Sequence, residues 1–150
     1  MLRNMNMNLP KALAAPAEFI LNQDLCEVIQ AEEMNIDRLK ELTNEAARLS
    51  LQLDKATLRY ESSAKINSLM EMFEQSSDDI QLLTTIESAL NILRSIVPDM
   101  DLQVAQNLFF TIAKEKYPEM KEKTAAQDKE AAKWVELFEL VSGHLGLVIE

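Results

Sequence analysis

An all-α fold is predicted, on three observations. Apolar residues recur at spacings of three and four along the chain, which is the helical period, and no stretch alternates long enough to argue a strand. The only glycines, Gly143 and Gly146, lie in the last eight of 150 residues. A chain whose first 142 residues lack glycine has no type I′ hairpin turns, no phosphate-cradling loop and no dinucleotide fingerprint, since each needs glycine's backbone freedom or its missing side chain. The expected architecture is a single helical-bundle-like domain of five to six main helices. Residues 1–15 are read as a poorly ordered start and 16–150 as the helical domain, because no Gly/Ser/Pro-rich linker of boundary length interrupts the pattern.

Pro10 can open a short turn reaching Ala15, and Pro16 suits the first turn of the first long helix. That helix carries Phe19, Ile20, Leu25, Val28 and Ile29 on one broad side and stops near Glu32. Asn35 or Asp37 caps a second helix, with Leu39, Leu42, Ala46 and Leu49 at near-heptad spacing and an end near Ser50. Asp54 caps a third, running through Leu58, Ile66, Leu69, Met70 and Phe73 to the polar Gln75, Ser76 and Ser77. The acidic pair Asp78 and Asp79 suits the positive start of a fourth, which Pro98 closes. Asp101 caps a fifth helix through Tyr117, and Pro118 with Glu119 begins a short sixth segment. Asp128 restarts the pattern for the last helix, whose stripe is Ala131, Val135, Phe138 and Val141, with Gly146 as a left-handed cap.

Charge narrows the partners. Fifteen Lys and Arg face 25 Asp and Glu, a formal net charge of -10, and the cations do not cluster, so neither nucleic acid nor an anionic lipid surface is an expected partner. The apolar runs fall far short of the roughly 20 residues that span a bilayer, and the N-terminus has no apolar signal region. The single Cys26 excludes an intramolecular disulfide framework and suits a reducing compartment. A cytoplasmic protein is expected.

Candidate chemistry is sparse. His144 is the only histidine, which removes histidine-paired metal sites, and it reads as a helix C-terminal residue set against the last carbonyls. Asp99 and Asp101 resemble a metal clip, but helix capping accounts better for Asp101. No cofactor, metal or catalytic residue is expected. The unusual segment is Ala105–Phe110, where two amides precede adjacent aromatics inside a helix. Phe109 is in register with Leu102, Ala105 and Ile112, while Gln106, Phe110, Ala113 and Tyr117 form a second face. Either the amides bond to neighbouring helix ends, or this face docks another domain or a ligand. Gln106, Asn107, Phe110, Tyr117 and Trp134 are therefore the partner- or ligand-facing candidates, with Trp134 falling on an apolar stripe that also suits packing.

Three segments, LPKALAAPAEFILNQDL, VAQNLFFTIAKEKYPEM and AAKWVELFELVSGHLGLVI, together with EAARLSLQLDKATLRYESSAKINSLMEMF, carry a resemblance. They are similar to the C-terminal helical domain of unknown function behind the catalytic domain of glycoside hydrolase family 57-type proteins, the α-amylase/α-mannosidase group. The resemblance implies an accessory domain that packs on a carbohydrate-active catalytic domain, in cis or in trans. The retaining chemistry of that family belongs to a Glu nucleophile and an acid carboxylate on an N-terminal barrel to which nothing here corresponds. The chain departs from the pattern at the Gln-Asn step, where the family's tryptophan is altered and Val104 precedes Ala105, Gln106 and Asn107. The alternative, from the residues alone, is an autonomous helical interaction module.

Overall fold

Short polar side chains start four of the helices. In a computed structural model describing residues 11–147, Asn35, Asp54, Asp79 and Asp128 each accept a hydrogen bond from a first-turn amide of the helix that follows. Such caps satisfy donors that have no partner inside the helix. The described residues form six helices and no strand: α1 (Lys11–Gln30), α2 (Ile36–Arg48), α3 (Lys55–Gln75), α4 (Ile80–Ile96), α5 (Gln103–Ala125) and α6 (Lys129–Leu145). The all-α expectation holds.

Three boundaries differ from the sequence reading. Helix α1 begins at Lys11 and runs through Pro16, so the boundary at residue 15 is too late; residues 1–10 lie outside the described residues. Helix α5 likewise continues through Pro118 to Ala125 instead of ending at Tyr117. A proline inside a helix forfeits one backbone bond. Here Tyr117 and Met120, on either side of it, are both buried, so one continuous helix keeps both on the core. The start of α5 also shifts slightly: Leu102 occupies the cap position, and Asp101 Oδ1 accepts from the Gln103 amide at 3.0 Å.

The helices pack as two four-membered rings that share the α3–α4 contact. One ring is α1, α2, α4 and α3; the other is α3, α4, α6 and α5. The second ring holds every buried aromatic: Phe73, Phe109, Tyr117, Trp134 and Phe138. Phe138 is its centre, with ring centroids 4.1 Å from Phe109 and 4.4 Å from Trp134, both in stacked geometry. The first ring is filled by aliphatic side chains, among them Leu21, Leu25, Ile29, Leu39 and Leu42. Among the helices, α1 touches α2 and α3 alone, which leaves it at the margin of the molecule.

Side chains fasten the connections. The extended link between α2 and α3 is read by α1: Asn22 donates through Nδ2 to the Gln52 carbonyl at 3.1 Å and accepts at Oδ1 from the Asp54 amide at 2.8 Å. Glu18 accepts from the Gln52 amide at 2.6 Å. Helix C-termini are caught by donors from other helices, as the partial negative charge there favours. Lys65 reaches the Ala31 carbonyl just past α1, and Lys55 reaches the Ile96 carbonyl at the end of α4.

Candidate functional site

The face nominated on α5 divides when the chain folds. Gln106 is half-buried and donates through Nε2 to the Leu145 carbonyl at 2.7 Å, so its amide binds a neighbouring helix end. Tyr117 is buried, its hydroxyl donating to Glu139 Oε2 at 2.5 Å. Burial, then the Glu139 carboxylate, push the phenol up to about 12. Trp134 is 0% exposed, and its indole N–H donates to the Ser77 carbonyl at 2.7 Å. Tyr117 and Trp134 are therefore core residues, not the surface residues the partner-facing reading needs: each ring is buried while its polar tip finds an acceptor on another element. Asn107 and Phe110 stay outside. Phe110 is 50% exposed, with Lys114 Nζ 4.5 Å above its ring.

A larger uncovered surface lies on α1. Between Ala12 and Ile20 the exposed residues are Ala12, Leu13, Ala15, Pro16, Phe19 and Ile20, and all six are apolar. Phe19 is 71% exposed, which corrects its placing on the core side with Leu25 and Ile29; Ile20 lies outside with it. The physical reason is the register of α1, which buries Leu21, Leu25 and Ile29 at i, i+4, i+8. One such stripe can face α2 and α3, and the residues before Leu21 are apolar on the other sides too. The signal was present in the run ALAAPA, because a helix that is apolar all round is one that something covers.

A third surface combines elements distant in sequence. On α3, Arg59, Tyr60, Ser63 and Asn67 recur at i, i+1, i+4, i+8 and line an open groove of about 470 Å³, bordered on its other side by Asp99 and Asp101 from the α4–α5 connection. Arg59 Nε is 3.2 Å from Asp99 Oδ2. The pair is close enough for ionic attraction but misaligned for a hydrogen bond, so Nε has no hydrogen-bond partner; Ser63 Oγ and Asn67 Oδ1 are also buried and unpaired. None of the four α3 residues stands out in the sequence, where they fall among the ordinary polar positions of a helix.

The titratable groups of the interior have structural roles. His144 Nε2 is 2.9 Å from Glu87 Oε2, joining α6 to α4. Arg94 of α4 donates to the His144 carbonyl, and with Gln106 it secures the end of α6 from two sides. Burial raises the Cys26 thiol, and the negative charges of Glu61 and Asp54 add to this, so the nucleophilic thiolate is disfavoured. Among the described residues no group of three or more His, Cys, Asp or Glu side chains could hold a metal ion, and no helix is long and apolar enough to cross a membrane. Comparison with protein-family models, curated proteins and solved structures finds no match.

Proposed function

We propose that this chain is a non-catalytic helical module that docks on a carbohydrate-active catalytic domain of the glycoside hydrolase family 57 type, in cis or in trans. The observation that carries the docking is the Ala12–Ile20 face of α1, whose exposed residues are all apolar. Contiguous apolar surface of this kind marks an interaction site, and covering Leu13, Phe19 and Ile20 is worth about 1.5–3 kcal/mol for each side chain fully buried. The choice of partner rests on the four segments that resemble the helical domain behind such catalytic domains. The reading includes no nucleic acid, no lipid surface and no cofactor, and a lone Cys26 without an intramolecular disulfide partner suits the cytoplasm.

The test is co-purification of the chain with a family 57-type catalytic domain encoded in the same genome, using wild type and a Phe19→Glu, Ile20→Glu double variant. Association of the wild type and its loss in the variant, with unchanged helical circular dichroism, is the expected result. Absence of association in both overturns the partner. A second reading, an autonomous interaction module, is favoured by the aromatic core of α3, α5 and α6, which is closed within the chain; it expects the α1 face to bind a different protein.

A further inference from the structure

We infer that the outer face shared by α5 and α6 docks an acidic amphipathic helix of a partner protein, seated over Gly143 between Phe110 and Leu140. The face lies on helices that α1 does not touch, and it is independent of the docking proposed for α1.

Gly143 is the residue that points outward. It lies in the last turn of α6 with no left-handed backbone, and a Cβ built on it would meet nothing within 4 Å. Glycine weakens a helix relative to alanine, and neither conformation nor crowding inside the chain calls for it here, in contrast to the left-handed Gly146. A missing Cβ leaves room for a second backbone to come close. The bonds from Gln106 to the Leu145 carbonyl and from Tyr117 to Glu139 set α5 antiparallel to α6, a register that brings Phe110 level with Gly143. Leu140 stands one turn before Gly143. Phe110 is 50% and Leu140 48% exposed, so an apolar side chain flanks the glycine on either helix.

The rest of the face supplies the charge. Gln103, Asn107, Phe110, Lys114, Pro118 and Lys121 recur at spacings of three and four along α5, over about 27 Å at the helical rise, and all six are exposed with no acidic residue among them. Lys114 sits over the Phe110 ring and Lys121 over that of Tyr117, contacts that hold both ammonium groups on this side. On α6 the exposed Lys129 and Lys133 share the outer side with Leu140. Among the described residues none of these four lysines forms an ion pair, whereas Lys116 and Lys123, on the opposite side of α5, are paired with Asp78 and Glu119. The carboxylates of the face are Glu136 and Glu139, and Tyr117 donates to Glu139. In a chain with 15 basic and 25 acidic residues, this face has the opposite sign to the whole. A helix with apolar residues in one turn and carboxylates in the next two meets both parts of it, the mode in which an amphipathic helix lies in a groove. A nucleic acid or an anionic bilayer would bring its phosphates to the two glutamates and to a chain of net charge -10.

Titration of the full chain, followed by two-dimensional amide NMR, tests this with a synthetic amphipathic helix of leucine and glutamate as the probe. A leucine–lysine helix, an oligothymidylate and phosphatidylserine vesicles are the comparators. The expected result is saturable shifts from the acidic helix alone, confined to residues 103–125 and 129–146. Reversing two charges, Lys114→Glu with Lys121→Glu, should weaken that binding about tenfold. Gly143→Ala should move stability and binding in opposite directions: a higher denaturation midpoint, because nothing lies where the new methyl goes, and binding weakened about fivefold. The proposal is overturned by an absence of saturable shifts, by shifts centred on α1, or by an equal or stronger response to any comparator. It is also overturned if the same residues shift with chain concentration alone, if Gly143→Ala lowers the midpoint, or if either variant leaves binding intact.

Discussion

Phe109 and Phe110 are adjacent in the chain and opposite in circumstance. Phe109 is 0% exposed and stacks on Phe138, so Phe109→Ala is expected to cost about 3–5 kcal/mol. Phe110→Ala loses only half-exposed area and the contact with Lys114, about 0.5–1 kcal/mol. Denaturant melts followed by circular dichroism measure both, and equal losses would mean that Phe110 is held by the fold. The placing of Phe109 was legible in its register with Ala105 and Ile112. The placing of Tyr117 was not, because its hydroxyl partner Glu139 comes 22 residues later on another helix. Burial of the phenol, and after it that bond, has a consequence for pH. The phenol ordinarily titrates near 10 and is raised to about 12 in the fold, so folding favours its protonated form. The stability it contributes is complete below pH 10 and is lost as the pH climbs to about 12. Tyr117→Phe should remove that fall, which melts of both proteins across pH 9–12 would show as a shallower decline in the variant.

Three helices end in the same way, two of them without the usual glycine. The Leu51 amide bonds to the Ala46 carbonyl, Asp128 to Lys123 and Leu147 to Ser142, the six-to-one bond of a Schellman turn, which puts the intervening residue in the left-handed region. At α6 that residue is Gly146, at φ 72°. At α2 and α5 it is Ser50 at φ 54° and Gln127 at φ 67°, which meet the steric penalty that glycine avoids. Ser50→Gly and Gln127→Gly should each stabilise the protein by up to about 1 kcal/mol, read as a higher denaturation midpoint. A lower midpoint for both would mean that the side chains make contacts outweighing the backbone strain. This asymmetry explains which boundaries the sequence disclosed. N-termini were legible because Asn35, Asp54, Asp79 and Asp128 cap by purely local chemistry. Pro118 was read as a break for equally local reasons, and the burial of Tyr117 and Met120 against the core, a property of the assembled bundle, overrode it.

At the scale of the molecule, the ring that contains α5 and α6 is closed around its aromatics, whereas the ring that contains α1 is bounded on one side by a helix with an uncovered apolar face. Periodicity could identify the stripe of α1 but not how many neighbours it has, and Phe19 and Ile20 were assigned to the core for that reason. The two halves of α1 should consequently differ in local stability. Leu21, Leu25 and Ile29 anchor the second half, and Asn22 ties it to the link before α3; the first half, apart from Glu18 and its bond to Gln52, has few such holds. Regions with few buried apolar contacts open at lower free energy. Hydrogen exchange on the free chain should therefore find the amides of residues 12–20 less protected than those of 21–30, and, if the proposed catalytic-domain partner binds, it should slow the first group selectively. Equal protection along α1 in the free chain would show that the exposed face costs the helix nothing. Slowing centred on Asn107 and Phe110 would move the proposed docking surface to α5, one of the two readings the sequence leaves open for that face.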